Sequence, residues 1–458
     1  MDTVIKCLNW NWTEDKKSAL IEKFNSLLGY RMYEVNKDKL IINKKYRLFT
    51  IHPLEAVEAK SASIVNNVYD RLFNCNEEGN VTPGISHYYE LNEKYIDIYL
   101  RPNVTFQDGT TIDSDSIINC IENAREHPNT SNMLKDITDV IKITDNSIRV
   151  DFDKCPHILY ILSHTTLSIY KVKNGLLVGT GPYKINKNNE YSTILERFDG
   201  YYGVKPFIHT IELLYVHDDR YMVIGNRNSV IEKTESIKGF YYLCKNKESK
   251  LSNLQLEYIK YVLYRNYRYE LNKFYRVSLE KPFILNNVSF QADTIKNPGF
   301  HNVITIDCIV KNDLRYDVLK NVFNKNKIPI ELIYHNYEID INKKNNFNSD
   351  FLCFGEFIDK NEVFGYYNFI FNEQSIPNSL IKNYGWYKNK KEEYLKMKLE
   401  DWKELNNNLN NFLWENNILF LIYNNNYQLY YESGLMGISV NEFGFVDLTK
   451  IWKKRGGL

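Results

Sequence analysis

The tightest constraint on the fold lies between residues 303 and 354, where strand-like and helix-like runs alternate over a short span. Val303 to Ile309 reads as a strand, and Leu314, Val318 and Val322 recur at helical spacing. Ile330 to Tyr334 reads as the next strand and Asp350 to Phe354 as a third. Strand, helix and strand in this order require a parallel pair joined by a right-handed crossover, because a helix returns onto a twisted sheet with one hand only.

The preceding region mixes elements. Ile64, Val68 and Leu72 predict a helix ending near residue 73, and Ile96, Ile98 and Leu100 alternate as a half-buried strand. Asp113 or Ser114 starts a helix that turns Ile117, Ile121 and Ala124 inward. Ile148, Val150 and Phe152 form a strand, as do Ile211, Leu213 and Tyr215. Downstream, Tyr394, Leu399, Trp402, Leu405, Leu409 and Leu413 predict one or two helices, followed by strand-like Leu419 to Tyr423 and Gln428 to Tyr431. Near the start, Thr13 caps a docking helix with Leu20, Phe24 and Leu28 on one face and Gly29 as its stop. Residues 30 to 50 are strand-like and basic, with Lys37, Lys39, Lys44, Lys45 and Arg47. They read either as an exposed hairpin or connector, or as the remnant of a nucleic-acid-binding unit.

A chain of 458 residues exceeds one small domain, so two or three packed units are expected. Lys plus Arg, at 58, nearly balance Asp plus Glu, at 57, which argues against a surface devoted to phosphate backbones. The seven cysteines are far apart and odd in number, a pattern that suits reduced cytosolic thiols. No Cys-x-x-Cys or His-Glu-x-x-His spacing points to a metal, and no Gly-x-Ser-x-Gly or comparable constellation points to an enzyme. No basic leader with an apolar core and no run near 18 apolar residues stands in the sequence, so the expected chain is soluble, untargeted and without a cofactor.

Two runs carry strong local punctuation. In Gly179-Thr180-Gly181-Pro182-Tyr183 the glycines free the backbone and Pro182 sets φ before a strand. In Phe106-Gln107-Asp108-Gly109-Thr110 a tight turn precedes the helix over residues 113 to 125. With Asn67 to Leu72 and Lys327 to Leu332, these runs resemble solute-binding protein family 5, the oligopeptide, dipeptide and nickel binding proteins of importers. Gly179 to Tyr202, Phe240 to Leu243 and Gly434 to Asp447 resemble most the solute-binding half of SgrR-type transcriptional regulators.

The resemblance implies an α/β, bilobal, periplasmic-binding-protein-like type II fold with two mixed-sheet lobes and a ligand cleft. Residues 1–45 would be an N-terminal docking helix and connector, 46–240 the first lobe, 245–423 the second, and 424–458 a return to the first. Hinge segments would fall at Phe240, Tyr241, Tyr242, Leu243 and Tyr423. The family's Asp-Tyr-Pro-Asp segment looks like Glu356-Phe357-Ile358-Asp359 here, so Glu356 and Asp359 become candidate ligand contacts, with Tyr366 or Tyr367 beyond them. The implied function is a cytosolic sensor of a peptide or small solute, whose closure acts on a winged-helix DNA-binding unit that the chain itself lacks. The alternative is the extracytoplasmic, membrane-anchored receptor of an ABC importer with its permease as partner. Neither reading gives this chain strong DNA binding of its own.

Overall fold

The computed structural model describes residues 2–8, 10, 12–32, 37–44, 47–216, 223–226, 228–274, 295–308, 313–335, 347–357 and 360–454. The expected crossover is present. Strands Ile304–Cys308 and Ile330–Tyr334 pair in parallel around helix Leu314–Lys325, and Phe351–Glu356 pairs in parallel on the other side of Ile304–Cys308. Ile231–Lys245 and Leu419–Glu432 then extend the sheet in antiparallel fashion, with Val223–Ile224 at the far edge, for six strands in all.

Strand period decides which core each side chain joins. Tyr241 and Leu243 point to one face, where they pack with helices Asn253–Val262 and Leu314–Lys325. Phe240, Tyr242 and Cys244 point to the other, against helices Glu362–Phe371 and Trp402–Glu415. Covered on both faces, this sheet forms the second lobe.

The first lobe is built on two sheets. One orders strands Ser86–Leu91, Tyr95–Leu100, Ser147–Phe152 and Ile137–Thr144, all antiparallel. Ile96 and Ile98 share a core with Ile117, Ile121 and Ala124 of helix Ser114–Glu126, whose start is capped by the Asp113 carboxylate accepting from the Ser116 amide. Leu435, Val446, Leu448 and Ile451 from the end of the chain complete the same core.

The other sheet corrects the reading of the first 45 residues. Its order is Gly29–Met32, Asp38–Lys44, Thr210–Tyr215, Ser192–Arg197 and Tyr183–Asn188, so Asp38–Lys44 is an inner strand, parallel to Thr210–Tyr215. A connector or exposed hairpin would not bury Leu40, Ile41 and Ile42, which are at most 2% exposed. Helices Asp2–Leu8 and Glu14–Asn25 lay Ile5, Leu8, Ile21 and Phe24 against Ile41 and Leu214. Ile21 takes the buried place expected for Leu20, which stands 36% exposed. Two of the basic residues are absorbed too, while Lys37 and Arg47 are exposed: Lys39 pairs with Glu212, and Lys44 lies over the Phe445 ring with its ammonium pushed down to about 8 by burial and by Lys60. Lys45 lies outside the described residues.

The punctuated runs meet at one carboxamide. Gln107 Nε2 donates to the carbonyls of Val68 and Tyr183, both at 2.7 Å, and of Gly181 at 3.2 Å, while its Oε1 accepts from the Gly179 amide. Because the Val68 carbonyl also accepts from the Gly181 amide, helix Ala59–Val68 ends there, and Leu72 is buried beyond it rather than on its last turn. A Cβ on Gly181 would stand 2.6 Å from the Val68 carbonyl carbon, an approach that backbone cannot relieve. Gly181→Ala is therefore expected to destabilise the protein by about 1–3 kcal/mol. The check is a lower urea midpoint at unchanged m-value, and an unshifted midpoint refutes the account.

Candidate functional site: a cleft between the lobes

Chain crossing between the lobes uses the two longest strands, which pair from Ile231↔Glu432 to Cys244↔Leu419. The register shifts between Ile237 and Phe240, where Gly239 adopts φ +75° and an added Cβ would lie 2.2 Å from the Glu356 carbonyl oxygen. Phe240, Tyr241, Tyr242, Leu243 and Tyr423 are each at most 3% exposed, and the Tyr241 and Tyr423 rings stack at 5.2 Å. These expected hinge residues sit inside the second lobe's sheet as anchors. The pairing shifts once just before them, at Gly239, and a second time within them, between Tyr241 and Tyr242.

A cavity of about 210 Å³ opens between the lobes. The first lobe contributes Ala56, Val57, Ala59, Ala62, Asn129, Met133 and His164 to Thr166; the second contributes Phe354, Glu356, Phe357 and helix Glu362–Phe371 with the turn after it. Glu442 and Phe443, from the returning end of the chain, line it as well. A smaller chamber of about 40 Å³ adjoins it through His164, Thr165, Glu442 and Phe443, and is flanked by Arg71 and Lys360.

Of the residues expected here, Glu356 lines the cavity at the end of its strand, and Asp359 lies outside the described residues. Tyr366 and Tyr367 do not face the cavity. Their helix turns Gly365, Asn368, Phe369 and, one turn on, Asn372 toward it, so helical geometry sends the two tyrosines to the opposite side. Tyr366 is 0% exposed, with its hydroxyl 3.5 Å from Asn410 Oδ1, and the Tyr367 ring lies 4.4 Å from that of Trp402. His164, Asn368, Asn372, Gln374 and Glu442 were missed. Gly365, Asn368 and Asn372, spaced three and four apart in an otherwise aromatic helix, are the signal that would have marked its polar stripe.

Several contacts span the two lobes beside the cleft. Asn361 accepts from the Phe364 amide as a helix cap while its Nδ2 donates to the Gly79 carbonyl at 3.0 Å and to Tyr160 Oη at 2.9 Å. Lys360 Nζ donates to the Cys75 carbonyl, and Gln374 Nε2 to the Pro128 carbonyl. His157, on the first lobe, inserts among Phe364, Tyr367 and Trp402 of the second, with ring centres 5.1–5.7 Å apart. Burial, aided by Lys391, pushes its imidazole down to about 3. Burial and Arg71 push His164 down to about 4. Among the described residues, no group of three or more His, Cys, Asp or Glu is placed to hold a metal ion.

The fold is of the periplasmic-binding-protein-like type II class, with the cleft between its lobes. A crystal structure of NikA from Staphylococcus aureus in complex with Ni(L-His)2 superposes with a TM-score of 0.72 at 15% identity, covering 90% of this chain and 99% of that one. The murein tripeptide binding protein MppA of Escherichia coli also reaches 0.72, at 14% identity, covering 92% and 99%. In sequence, residues 86–229 match the family model described as bacterial extracellular solute-binding proteins, family 5 Middle, and so include both Phe106–Thr110 and Gly179–Tyr183. The nickel-binding protein NikA of Staphylococcus aureus is 25% identical over 159 residues, 32% of each chain. The HTH-type transcriptional regulator SgrR of Yersinia enterocolitica is 22% identical over 204 residues, 43% of this chain and 36% of the regulator. The match thus spans about a third of the length of these curated relatives. The resemblance to solute-binding protein family 5 holds by sequence over residues 86–229, and the fold is shared with these structures across about nine tenths of the chain.

His157 makes closure sensitive to acid. Its value in the closed form lies below the ordinary 6.5, so its contribution is complete above about pH 6.5 and is lost as pH falls toward about 3. At pH 5 the loss is about 2 kcal/mol, from 1.36 kcal/mol per pH unit below 6.5. Scattering between pH 7 and pH 5 is expected to show the lobes parting, and His157→Phe is expected to resist that change. An equal acid response in both proteins excludes His157 as its source.

Proposed function

We propose that this chain captures a small solute between its lobes and acts as the sensor half of a transcriptional regulator, with closure passed to an attached or partner winged-helix unit. The observation that carries solute capture is the cavity lined from both lobes beside contacts that exist only while they are together. A ligand stabilises such a state through whatever it binds better there than in the open form. At about 210 Å³ the cavity is below the roughly 300–1,000 Å³ of drug-sized sites, which favours a small solute or very short peptide over a long one.

Similarity to the SgrR regulators supports the sensor role, as do the seven cysteines, all of them free thiols and five of them buried, which suit a reducing cytoplasm. The basic stretch near the start is built into a sheet, so this chain is not expected to read DNA sequence itself. A second reading, the extracytoplasmic receptor of an ABC importer, is favoured by the fold shared with nickel and tripeptide binding proteins over their full length. No helix among the described residues is long and apolar enough to cross a membrane.

Two measurements test these readings. Asn361→Asp keeps an acceptor for the helix cap but removes the donors to Gly79 and Tyr160; it is expected to weaken solute binding about tenfold, from the loss of one or two hydrogen bonds, while leaving the melting temperature within a few degrees. Unchanged affinity removes the coupling between closure and binding. Titration on operator and scrambled duplexes is expected to show at most weak, salt-sensitive binding by residues 1 to 458, and tight selective binding overturns the view that this chain is only a sensor.

A further inference from the structure

The charge inside the cleft is one-sided. Among the described residues that line the larger chamber, the acidic side chains are Glu356 and Glu442, and no Lys or Arg stands there. His164, the remaining titratable group, is held neutral at pH 7 by burial and Arg71. The other polar groups are amides and hydroxyls, from Asn129, Asn368, Asn372 and Gln374 to Ser375 and the threonines beside His164.

The cations bordering the smaller chamber do not reverse this balance. Arg71 is 9% exposed and spends its guanidinium on neutral acceptors: Nε and Nη2 donate to Asn74 Oδ1, and Nη1 donates to Asn66 Oδ1 and to Thr165 Oγ1. Lys360 Nζ donates to the Cys75 carbonyl at 3.3 Å and reaches the carboxylates of Glu442 and Glu77 only at 3.7 and 4.0 Å.

Glu442 faces both chambers. Its Oε1 accepts one long bond, 3.4 Å, from Asn66 Nδ2, whereas its Oε2 is buried and accepts no hydrogen bond from any described residue, Lys360 Nζ standing 3.7 Å from it. A buried carboxylate oxygen lacking a donor is costly, and a charged N–H donor is the group that relieves it best. Phe357, Phe369 and Phe443 line the same space, and aromatic walls favour cations over anions. A phosphate here would meet carboxylates with no uncommitted cation among the described lining residues to offset them.

We infer that the cleft selects a small solute bearing an ammonium or guanidinium group, and that Glu442 is the residue that recognises its charge. This rests on the solute-capture reading and adds to it the chemical class of the solute. Glu442 lies on the segment that returns from the second lobe to the first, outside the span matched by the family model, and is distinct from the Glu356 anchor that the resemblance suggests. On this inference sugar phosphates are not expected to bind.

The test uses the full chain with three probes: alanyl-alanine amide, its N-acetylated form and glucose 6-phosphate. Calorimetry reads affinity, and scattering reads closure. The ammonium probe is expected to bind and close the lobes, with acetylation weakening it about tenfold or more. Glu442→Gln, nearly isosteric and checked by its melting temperature, is expected to impose a similar loss on the ammonium probe and little on the acetylated one. That non-additivity assigns the contact to Glu442. The comparison of probes on the unaltered chain needs no variant, so it stands even if Glu442→Gln fails to fold. Equal or tighter binding of the acetylated or phosphorylated probe, with closure, overturns the charge inference and leaves solute capture intact. Loss of ammonium binding in Glu356→Gln but not in Glu442→Gln overturns the role of Glu442. Failure of all three probes to close the lobes overturns solute capture and this inference with it.

Discussion

The pairing of Ile231–Lys245 with Leu419–Glu432 is the constraint on which the rest of the structure depends. These strands run from the first lobe's edge into the second lobe's sheet, where Ile231–Lys245 lies between Leu419–Glu432 and Phe351–Glu356, so one hydrogen-bonded ribbon both joins the lobes and supplies the second with two adjacent strands. A ribbon of this kind transmits little rotation where its side chains are buried between helices on both faces, as at Phe240 to Cys244. It can yield where the register shifts and a glycine holds a positive φ, as at Gly239. The contact of Gly239 with the Glu356 carbonyl places that irregularity directly beside the strand end that delivers Glu356 to the cavity.

The surfaces that meet across the cleft differ in chemistry. Aromatic rings and a neutral imidazole form one part, where closure replaces water by ring contacts around His157. Side-chain amides form another, each donating to a backbone carbonyl of the opposite lobe, as Asn361 and Gln374 do. Such bonds return little net stability because water serves the same groups in the open form, so closure by itself is only weakly favoured and leaves room for a solute to decide it. Carboxylates are the exception, and they line the cavity rather than its sealed rim.

Much of the scaffold was legible in the residues. The crossover over 304 to 334, the inward face of helix Ser114–Glu126 and the alternation of Tyr95–Leu100 all follow from local periodicity, which records how each segment meets its own neighbours. Gly179 to Tyr183 and Phe106 to Thr110 were visible as turns and as family signatures, but their common purpose, a backbone node around the Gln107 carboxamide, joins residues more than 70 apart and is written in no local pattern. The first 45 residues were misplaced for the same reason: a short basic strand looks exposed until its parallel partner, about 170 residues later, covers it.

For the site, the sequence by itself determined the fold class, the polar end of the strand at Glu356 and the aromatic wealth of the second lobe. Tertiary structure decided which of those aromatics are core and which line the cleft, because Tyr366 and Phe369 differ only in the side of the helix they occupy. It also brought Glu442 to the cavity, through the return of the chain to the first lobe along Leu419–Glu432. Charge in a cleft depends on which distant segments share the same enclosed volume, and chain crossing sets that where local spacing does not.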